Sequence, residues 1–403
     1  MRTIDWIDGA VVIVDQTALP GRTVQLRLST VEDLVAAIQR LAVRGAPALG
    51  VAGAMGVALA ARQHAAGGNA PAASQHATAS YAPAASQHAA ASHATNVDQL
   101  ATGIDRALAE AVELVANARP TAVNLARGAR RAAVALPDPD AVLAIALAIR
   151  DEEIANSAGM ARLGADLVVE LCGPRPRLLT HCNTGGLAAV VDGTALAVVF
   201  ELHRRGTLNG VIASETRPLL QGSRLTAWEL AQAGVPFRVA VDSAGPFLMA
   251  RGEVDAVILG ADRICANGDV VNKIGSYSHA LGARAAGIPF ICVAPESTVD
   301  LETASGDQVE IEDRGAPEVV GGTAPGGSDA VNPAFDVTPH HLVTAIVTER
   351  RIIRLDEGET PKNETPKNET RQGRDPSRTR PVKDETLKTR PVKDETLKPG
   401  VPR

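Results

Sequence analysis

The sequence has no excess of positive charge. Its 403 residues include 40 lysines and arginines against 46 aspartates and glutamates, which gives a formal net charge of −6 at pH 7. A chain this acidic, with a pI near 5.9, has no global electrostatic reason to bind nucleic acid or an anionic membrane surface. Any anionic ligand must therefore be bound by a local cluster of donors.

Cysteines and long apolar runs are also scarce. The four cysteines form no Cys-x-x-Cys pair and no dense pattern of spacings, which favours a reducing compartment. No apolar stretch reaches the roughly 20 residues that a membrane helix needs, and charged residues interrupt the N-terminus where a signal peptide would begin. These absences predict a soluble, cytoplasmic protein with no membrane partner.

Three cofactor motifs are absent as well. The chain has no Gly-x-x-x-x-Gly-Lys-Ser/Thr run, no Gly-x-Gly-x-x-Gly after a predicted strand, and no His, Cys and Glu spacing typical of zinc. We therefore predict no nucleotide, dinucleotide or metal cofactor. A histidine-rich tract can bind metal, but the histidines of residues 64–95 have no cysteine or carboxylate companion.

Two segments have low sequence complexity. Residues 64–95 consist mostly of Ala, Ser, His and Gln, and the block Ala-Pro-Ala-Ala-Ser-Gln-His-Ala at 70–77 recurs at 82–89. Residues 356–403 contain charged repeats with too few apolar residues to offset the entropy of ordering. We interpret the first segment as an insertion in a surface loop and the second as a disordered tail.

The remaining sequence divides near residue 136. Residues 1–136 show helical spacing of apolar residues after a short strand-like opening at 10–14, which predicts a mainly helical N-terminal domain. Residues 137–355 alternate between apolar strands and helices after a long helix over about 140–170. This alternation predicts an α/β fold with a Rossmann-like parallel sheet covered on both faces. The predicted strands lie at 177–181, 210–214, 237–242, 256–259, 290–293 and 342–348.

Such sheets bind ligands at the carboxyl ends of their strands, and a cysteine follows the first strand. Cys182 lies in Thr-His-Cys-Asn-Thr-Gly-Gly, residues 180–186, a turn predicted to open a helix whose free N–H groups suit an oxyanion or phosphate. The positive potential of such a turn favours a reactive thiolate. The alternative is that Cys182 is a small buried hydrophobic residue, as most isolated cysteines are.

Hydrogen-bond donors follow the second strand. Arg217, Gln221 and Arg224 are suited to phosphate or sugar hydroxyls, since arginine binds oxyanions through two parallel hydrogen bonds. A solvated loop also carries such residues. We therefore keep both interpretations of this segment.

A carboxylate follows the strand at 256–259. Asp262 lies where partial desolvation raises the pKa of an acid toward general acid-base use, although a salt bridge with Arg263 or a helix N-cap is the alternative. Asn272 and Lys273 follow closely and could hold a phosphate. A thiol, a carboxylate and scattered phosphate donors favour proton or hydride movement on a phosphorylated metabolite.

Several longer motifs occur in a fixed order along the chain. They are Arg-Gly-Ala-Pro-Ala-Leu-Gly at 44–50, Arg-Pro-Thr-Ala-Val-Asn-Leu at 119–125, Thr-His-Cys-Asn-Thr-Gly at 180–185, Glu-Thr-Arg-Pro-Leu-Leu-Gln-Gly-Ser-Arg-Leu-Thr-Ala-Trp-Glu-Leu at 215–230, Gly-Ala-Asp-Arg-Ile at 260–264, Asn-Gly-Asp-Val-Val-Asn-Lys-Ile-Gly-Ser at 267–276 and Asn-Pro-Ala-Phe-Asp-Val-Thr-Pro at 332–339. In this order they resemble the methylthioribose-1-phosphate isomerase family, from about residue 3 to residue 350.

The resemblance implies an aldose-to-ketose isomerase of methionine salvage, acting on a sugar phosphate, without a cofactor and as a homodimer. By motif match, Asp262 is the catalytic acid and Cys182 the assisting thiol. The residues implied to bind the sugar phosphate are Arg44, Gly45, Ala46, Arg119, Gln221, Asn272 and Lys273. The alternatives are isomerisation of ribose 1,5-bisphosphate or 5-deoxyribose 1-phosphate, and a non-catalytic regulatory subunit of the translation exchange factor, whose members generally lack the Cys and Asp pair.

Overall fold

The computed structural model describes residues 2–67, 105–119, 122–321, 324–325 and 327–362. Most of the predicted insertion, and the predicted tail from residue 363 onward, lie outside these residues. Residues 356–362, which the sequence analysis assigns to the tail, contact the core. The Arg354 N–H donates to Glu359 Oε2 at 2.7 Å, and Arg351 Nη2 donates to the Pro361 carbonyl at 3.0 Å. The division of the core near residue 136 stays a prediction.

The N-terminal part begins with a small antiparallel sheet. Its strands β1 (Ile4–Ile7), β2 (Ala10–Val14) and β3 (Gln25–Leu28) pair in that order. The sequence predicts only β2, because β1 and β3 have four residues each and mix apolar with charged or polar side chains. Pairing with the apolar β2 stabilises both short strands.

Helices follow this sheet and pack around one central helix. They are α1 (Val31–Gln39), α2 (Ala46–Ala65), α3 (Arg106–Ala116), α4 (Val123–Ala133) and the long α5 (Pro139–Cys172). The central helix is α2, which is apolar on all sides, as expected of a buried helix. Its glycines let α4 approach closely, since a Cβ added to Gly53 would overlap the Leu125 carbonyl oxygen.

The second half contains a seven-stranded sheet. Its strands, numbered along the chain, are β4 (Arg177–Thr180), β5 (Gly210–Ser214), β6 (Phe237–Ala240), β7 (Ala256–Leu259), β10 (Phe290–Val293), β13 (Ala345–Val347) and β14 (Ile352–Arg354). The spatial order is β14-β13-β10-β7-β4-β5-β6, and all neighbours are parallel except β13 and β14.

Helices cover both faces of this sheet. Alternate strand residues enter two separate apolar clusters, so that Leu178 and Ile258 pack on one face while Leu179 and Val257 pack on the other. The helices of this half are α6 (Ala195–Arg204), α7 (Ala227–Gln232), α8 (Ala244–Ala250), α9 (Ser276–Ala286) and the short α10 (Pro317–Val320). The arrangement confirms the predicted Rossmann-like α/β fold preceded by a mainly helical part.

The order of the strands reverses between β4 and β7. From β4 the chain steps outward to β5 and β6, and from β7 it steps in the opposite direction to β10 and β13. Leu178 of β4 pairs with Ala256 of β7, so the segments that follow both strands emerge side by side. Such a switch point leaves a crevice where ligands bind in open α/β sheets.

A second, mixed sheet lies outside the sequence prediction. Its spatial order is β11 (Val299–Asp300), β8 (Arg263–Cys265), β9 (Val270–Lys273) and β12 (Phe335–Thr338). These strands have two to four residues and find partners far along the chain, so no local periodicity indicates them.

In the described part of the chain, no helix is both long enough and apolar enough to cross a membrane.

Candidate active site

The carboxyl ends of β4 and β7 border a cleft. Cys182 follows the end of β4 by two residues, and Asp262 follows the end of β7 by three. The cleft contains about 810 Å³ of empty volume, including space open to solvent. Its lining includes every residue that the family resemblance assigns to the site: Arg44, Gly45, Ala46, Arg119, Cys182, Gln221, Asp262, Asn272 and Lys273.

The N-terminal part contributes one wall of the cleft. Helix α2 begins at Ala46, directly after Arg44 and Gly45. Gly45 has a φ of +97° and packs so closely on the turn after β4 that an added Cβ would overlap the Ala188 carbonyl oxygen. Glycine is therefore needed here both for its backbone conformation and for its size.

We expect Gly45→Ala to lower kcat/KM for the sugar-phosphate isomerisation implied by the resemblance about 100-fold. The reason is that the added Cβ must push Arg44 and the start of α2 away from the cleft. Gly67 is a matched control, since its φ is +94° and a Cβ there would meet nothing within 4 Å. Gly67→Ala should therefore lower stability by about 1–2 kcal/mol and leave kcat/KM unchanged. Steady-state kinetics and urea unfolding of both variants check this, and equal kinetic effects would contradict it.

Cationic side chains surround the cleft. Arg44, Arg119, Lys273 and Arg314 line it, against the single carboxylate of Asp262 among the described lining residues. Burial lowers the pKa of the Arg119 guanidinium, and the neighbouring charge of Arg314 lowers it further. Such a cluster of desolvated cations is unfavourable without a bound anion.

Arg44 provides the clearest evidence for an anion. Its Nε and Nη2 are buried and make no hydrogen bond to any residue that the structure describes. Buried donors are normally paired, and a guanidinium fork matches the geometry of a phosphate. Within the described ranges, no three or more His, Cys, Asp and Glu side chains are grouped to hold a metal ion.

Lys273 is held in one orientation at the end of β9. Its Nζ donates to the Ala334 carbonyl at 2.6 Å and lies 4.6 Å from the centre of the Phe335 ring. Burial lowers the pKa of the ammonium, while the nearby Cys182 and Asp262 raise it. The ammonium therefore lies close enough to the Asp262 carboxyl to favour its ionised form.

Asp262 extends into the cleft from the segment between β7 and β8. Its N–H donates to the Val271 carbonyl at 2.9 Å, and its carboxyl makes no hydrogen bond to the described residues. The cleft is open to water at this side chain, yet the surrounding protein still raises the pKa of the carboxyl by desolvation. The charges of Lys273, Arg119 and Arg44 act in the opposite direction.

The alternative for Asp262, a salt bridge with Arg263, is wrong. Arg263 instead donates to Asp300 Oδ2 at 2.6 Å. The helix N-cap alternative is also wrong, because β8 and not a helix follows Asp262. The carboxyl of Asp262 is thus left available to a ligand.

The turn after β4 differs from its prediction. Only a three-residue 3₁₀ turn, Gly186–Ala188, follows Cys182, and the next α-helix begins at Ala195. The carboxylate of Glu229 lies beneath this turn and accepts from Asn183 Nδ2 at 2.7 Å and from the Leu187 N–H at 3.2 Å. Because this internal carboxylate occupies donors of the turn, they are not free to bind a ligand as a helix N-terminus would.

Glu229 is a residue that the sequence analysis missed. It is buried beneath the turn, and a Cβ on Gly185 would overlap its carboxylate. Burial raises the pKa of Glu229 to about 7, although its N–H partners and the charge of Arg44 lower it. A glutamate within the apolar run Ala-Trp-Glu-Leu is the signal that could have indicated a buried carboxylate.

Of the three donors predicted after β5, only Gln221 lines the cleft. Arg224 Nη2 instead donates to the carbonyls of Gln16 and Leu19 at 2.9 and 3.1 Å, where it holds the N-terminal segment. Arg217 is exposed and donates to the Val319 carbonyl. Side-chain type alone could not separate these structural arginines from a ligand-binding residue.

Arg314 is a second residue that the sequence analysis missed. It lies in the long connection between β11 and β12, and its Nε donates to Glu318 Oε1 at 3.1 Å. Asn332 supports the same carboxylate from the other end of this connection. No motif marks Arg314, because it enters the cleft from an irregular loop.

Residues 42–354 match the Initiation factor 2 subunit family. A probable bifunctional methylthioribose-1-phosphate isomerase/methylthioribulose-1-phosphate dehydratase from Nocardia farcinica is 47% identical over 364 residues. That match covers 88% of this chain, and the chain spans 60% of the length of this relative. A 5-deoxyribose 1-phosphate isomerase from Moorella thermoacetica is 44% identical over 364 residues, which cover 87% of this chain and 93% of the relative.

A solved structure shows the same arrangement of the chain. The 5-methylthioribose 1-phosphate isomerase from Pyrococcus horikoshii superposes with a TM-score of 0.72 at 37% sequence identity, over 88% of this chain and 92% of that chain. Together with the family match over most of the core, this degree of identity shows that the chains are homologous. The chain belongs to the Initiation factor 2 subunit family and, within it, to the sugar-phosphate isomerases.

Proposed function

We propose that this chain converts 5-methylthioribose 1-phosphate into 5-methylthioribulose 1-phosphate in methionine salvage. The observation that carries the proposal is that Cys182 and Asp262 share one cleft with the buried, unpartnered donors of Arg44. A regulatory subunit has no need of a thiol and a free carboxyl at a strand switch point. The names of the related isomerases support the substrate class.

The cations of the cleft would bind the phosphate. Arg44 offers two buried donors, and Arg119 and Arg314 add positive charge around them. Gln221 and Asn272 carry neutral polar groups on the same lining and suit sugar hydroxyls. This division leaves Asp262 and Cys182 for the reacting carbon atoms.

The substrate sets a specific chemical problem, because phosphate blocks its anomeric carbon. Asp262 donates a proton to the ring oxygen as the bond between that oxygen and C1 breaks. One hydrogen then moves from C2 to C1, and the C2 hydroxyl gives its proton to the ionised Asp262 carboxylate as the ketone forms. Cys182 assists this transfer or stabilises its transition state.

The route of that hydrogen can be read from the product. A hydride shift keeps the hydrogen of C2 within the molecule, whereas an enediolate exchanges it with solvent. Turnover in deuterium oxide followed by NMR of the product separates the two routes. Deuterium at C1 identifies the enediolate, and its absence identifies the hydride shift.

Turnover of the pure protein tests the proposal. The full chain incubated with 5-methylthioribose 1-phosphate should yield the ketose, detected by NMR or mass spectrometry. A parallel thermal-shift measurement separates binding without turnover, which a regulatory protein would show, from catalysis. A folded sample that turns over ribose 1,5-bisphosphate but not the methylthio sugar would overturn the assignment.

A second candidate substrate is 5-deoxyribose 1-phosphate. The Moorella thermoacetica relative named for it is 44% identical to this chain, and the match covers 93% of that relative. Both sugars lack a charge at C5 and differ only in the methylthio group. Comparing kcat/KM for the two substrates decides between them.

We also propose that the chain forms a homodimer. Phe247 of α8 is 61% exposed, and Tyr277 and Leu281 of the adjacent α9 are exposed on successive turns. Exposed apolar side chains on two touching helices are typical of an interaction surface. Sedimentation velocity should give twice the chain mass, and Phe247→Asp should shift the protein to monomer. A monomeric wild type at micromolar concentration would contradict the proposal.

A further inference from the structure

Cys182 has a backbone conformation that is unfavourable for its residue type. Its φ is +61°, in the left-handed region that residues other than glycine rarely adopt. The neighbouring chain must therefore hold Cys182 in this conformation. Such conformations persist only where surrounding contacts enforce them, and they cluster at functional sites.

One contact is made to the backbone N–H of Cys182. This N–H donates to Thr216 Oγ1 at 2.9 Å, and the Thr216 hydroxyl donates in turn to the Ser214 carbonyl at 2.9 Å. Thr216 is itself left-handed, with a φ of +67°, and its own N–H donates to Asp242 Oδ1 at 2.7 Å. A continuous series of hydrogen bonds thus extends from the end of β6 to Cys182.

The other contact is made to the carbonyl of Cys182. Thr226 Oγ1 donates to this carbonyl at 2.6 Å and accepts from Asn183 Nδ2 at 3.3 Å. Both threonine side chains are fully buried and do not line the cleft. Each hydroxyl has one donating and one accepting partner, so its orientation is fixed.

We infer that Thr216 and Thr226 are positioning residues, which hold the Cys182 backbone from both sides so that its thiol faces the substrate. The inference rests on the proposed function, because it assigns the thiol a role in turnover. A displacement of about 1 Å at a reacting group can lower the rate about 100-fold. Loss of either hydroxyl should therefore act through Cys182 and not through substrate binding.

Valine and serine variants test this inference, since valine keeps the shape of threonine and serine keeps its hydroxyl. We expect Thr226→Val and Thr216→Val to lower kcat about 100-fold with little change in KM. Thr226→Ser and Thr216→Ser should recover most of that loss. Thr338→Val is the matched control, because Thr338 is equally buried and its hydroxyl has no partner among the described residues.

A second measurement shows whether the effect passes through the thiol. In a Cys182→Ala background, each valine substitution should cause no further loss of the residual activity. Wild type and both valine variants are also alkylated with iodoacetamide, and the rate at Cys182 is followed by mass spectrometry. We expect the valine variants to react at a clearly different rate, with unchanged circular dichroism.

Several results would overturn the inference. Folded valine variants with wild-type kcat and wild-type alkylation would show that the two hydroxyls do not position the thiol. An equal loss in the Cys182→Ala background would show that they act on another group. If the wild type itself turned over no sugar phosphate, the proposed function would fail, and the alkylation rates alone would still decide whether the threonines position Cys182.

Discussion

Replacing Asp262 by asparagine is expected to lower kcat by about 10²- to 10⁴-fold, the range of a general acid. The amide has nearly the same shape but cannot donate a proton to the ring oxygen. Since the Asp262 carboxyl makes no hydrogen bond to the described residues, the change breaks no hydrogen bond among them. Steady-state assays of the purified variant measure the loss of kcat, and its melting temperature shows whether the fold is intact.

The pH dependence of the wild type gives an independent test of the same role. An acid must be protonated before it can act, so kcat/KM should fall as the pH rises through the pKa of Asp262. Desolvation raises this pKa, so the fall should occur at a higher pH than for a solvated aspartate. The corresponding limb should be missing from the profile of Asp262→Asn.

Asp166→Asn is the matched control for charge. Asp166 forms a surface ion pair with Arg205, remote from the cleft lining, and such pairs contribute little to stability. Its kinetics and pH profile should equal those of the wild type. A folded Asp262→Asn protein with near wild-type kcat would show that another group supplies the proton.

Replacing Cys182 by serine is expected to lower kcat by about 10²- to 10³-fold, with a smaller effect on KM. Serine preserves the size and the backbone of the residue, but its hydroxyl is a weaker acid and a poorer nucleophile than a thiol. Cys182 is only 9% exposed and lines the cleft, so the loss would reflect the reacting group and not a surface change. Steady-state kinetics at several substrate concentrations separates kcat from KM.

Cys172→Ser controls for the general loss of a thiol. Cys172 is half-buried at the end of α5, and its Sγ contacts the Asp255 carbonyl, away from the cleft. This variant should keep the wild-type kcat. If Cys182→Ser also kept it, the thiol would have no part in the transfer of hydrogen.

The two candidate reacting groups could be located from the sequence because each closely follows a predicted strand of the sheet. The strand before Asp262 is buried and entirely apolar, and the strand before Cys182 has two buried leucines at its centre. The long motifs then predicted the binding residues, all of which line the cleft. Their roles in binding and catalysis stay predictions until the variants are measured.

The short strands could not be predicted in the same way. β8, β9, β11 and β12 have two to four residues each and are stabilised by pairing with distant segments. Phe335 of β12, for example, lies opposite Lys273 of β9, and this pairing fixes the lysine at the cleft. Local patterns carry no information about such long-range partners.

By itself, the sequence determined the fold class, the family and the chemical groups available for catalysis. These properties depend on residue type and local spacing, which are visible without a structure. Only the tertiary structure decided which donors face the ligand, since Arg224 binds backbone carbonyls while Arg314 enters the cleft. It also decided how the turn at Cys182 and Asn183 is held, because Thr216 and Thr226 bond the Cys182 backbone and Glu229 bonds the Asn183 side chain only in the folded chain. The free energy of those contacts depends on burial and on long-range geometry, which no local pattern records.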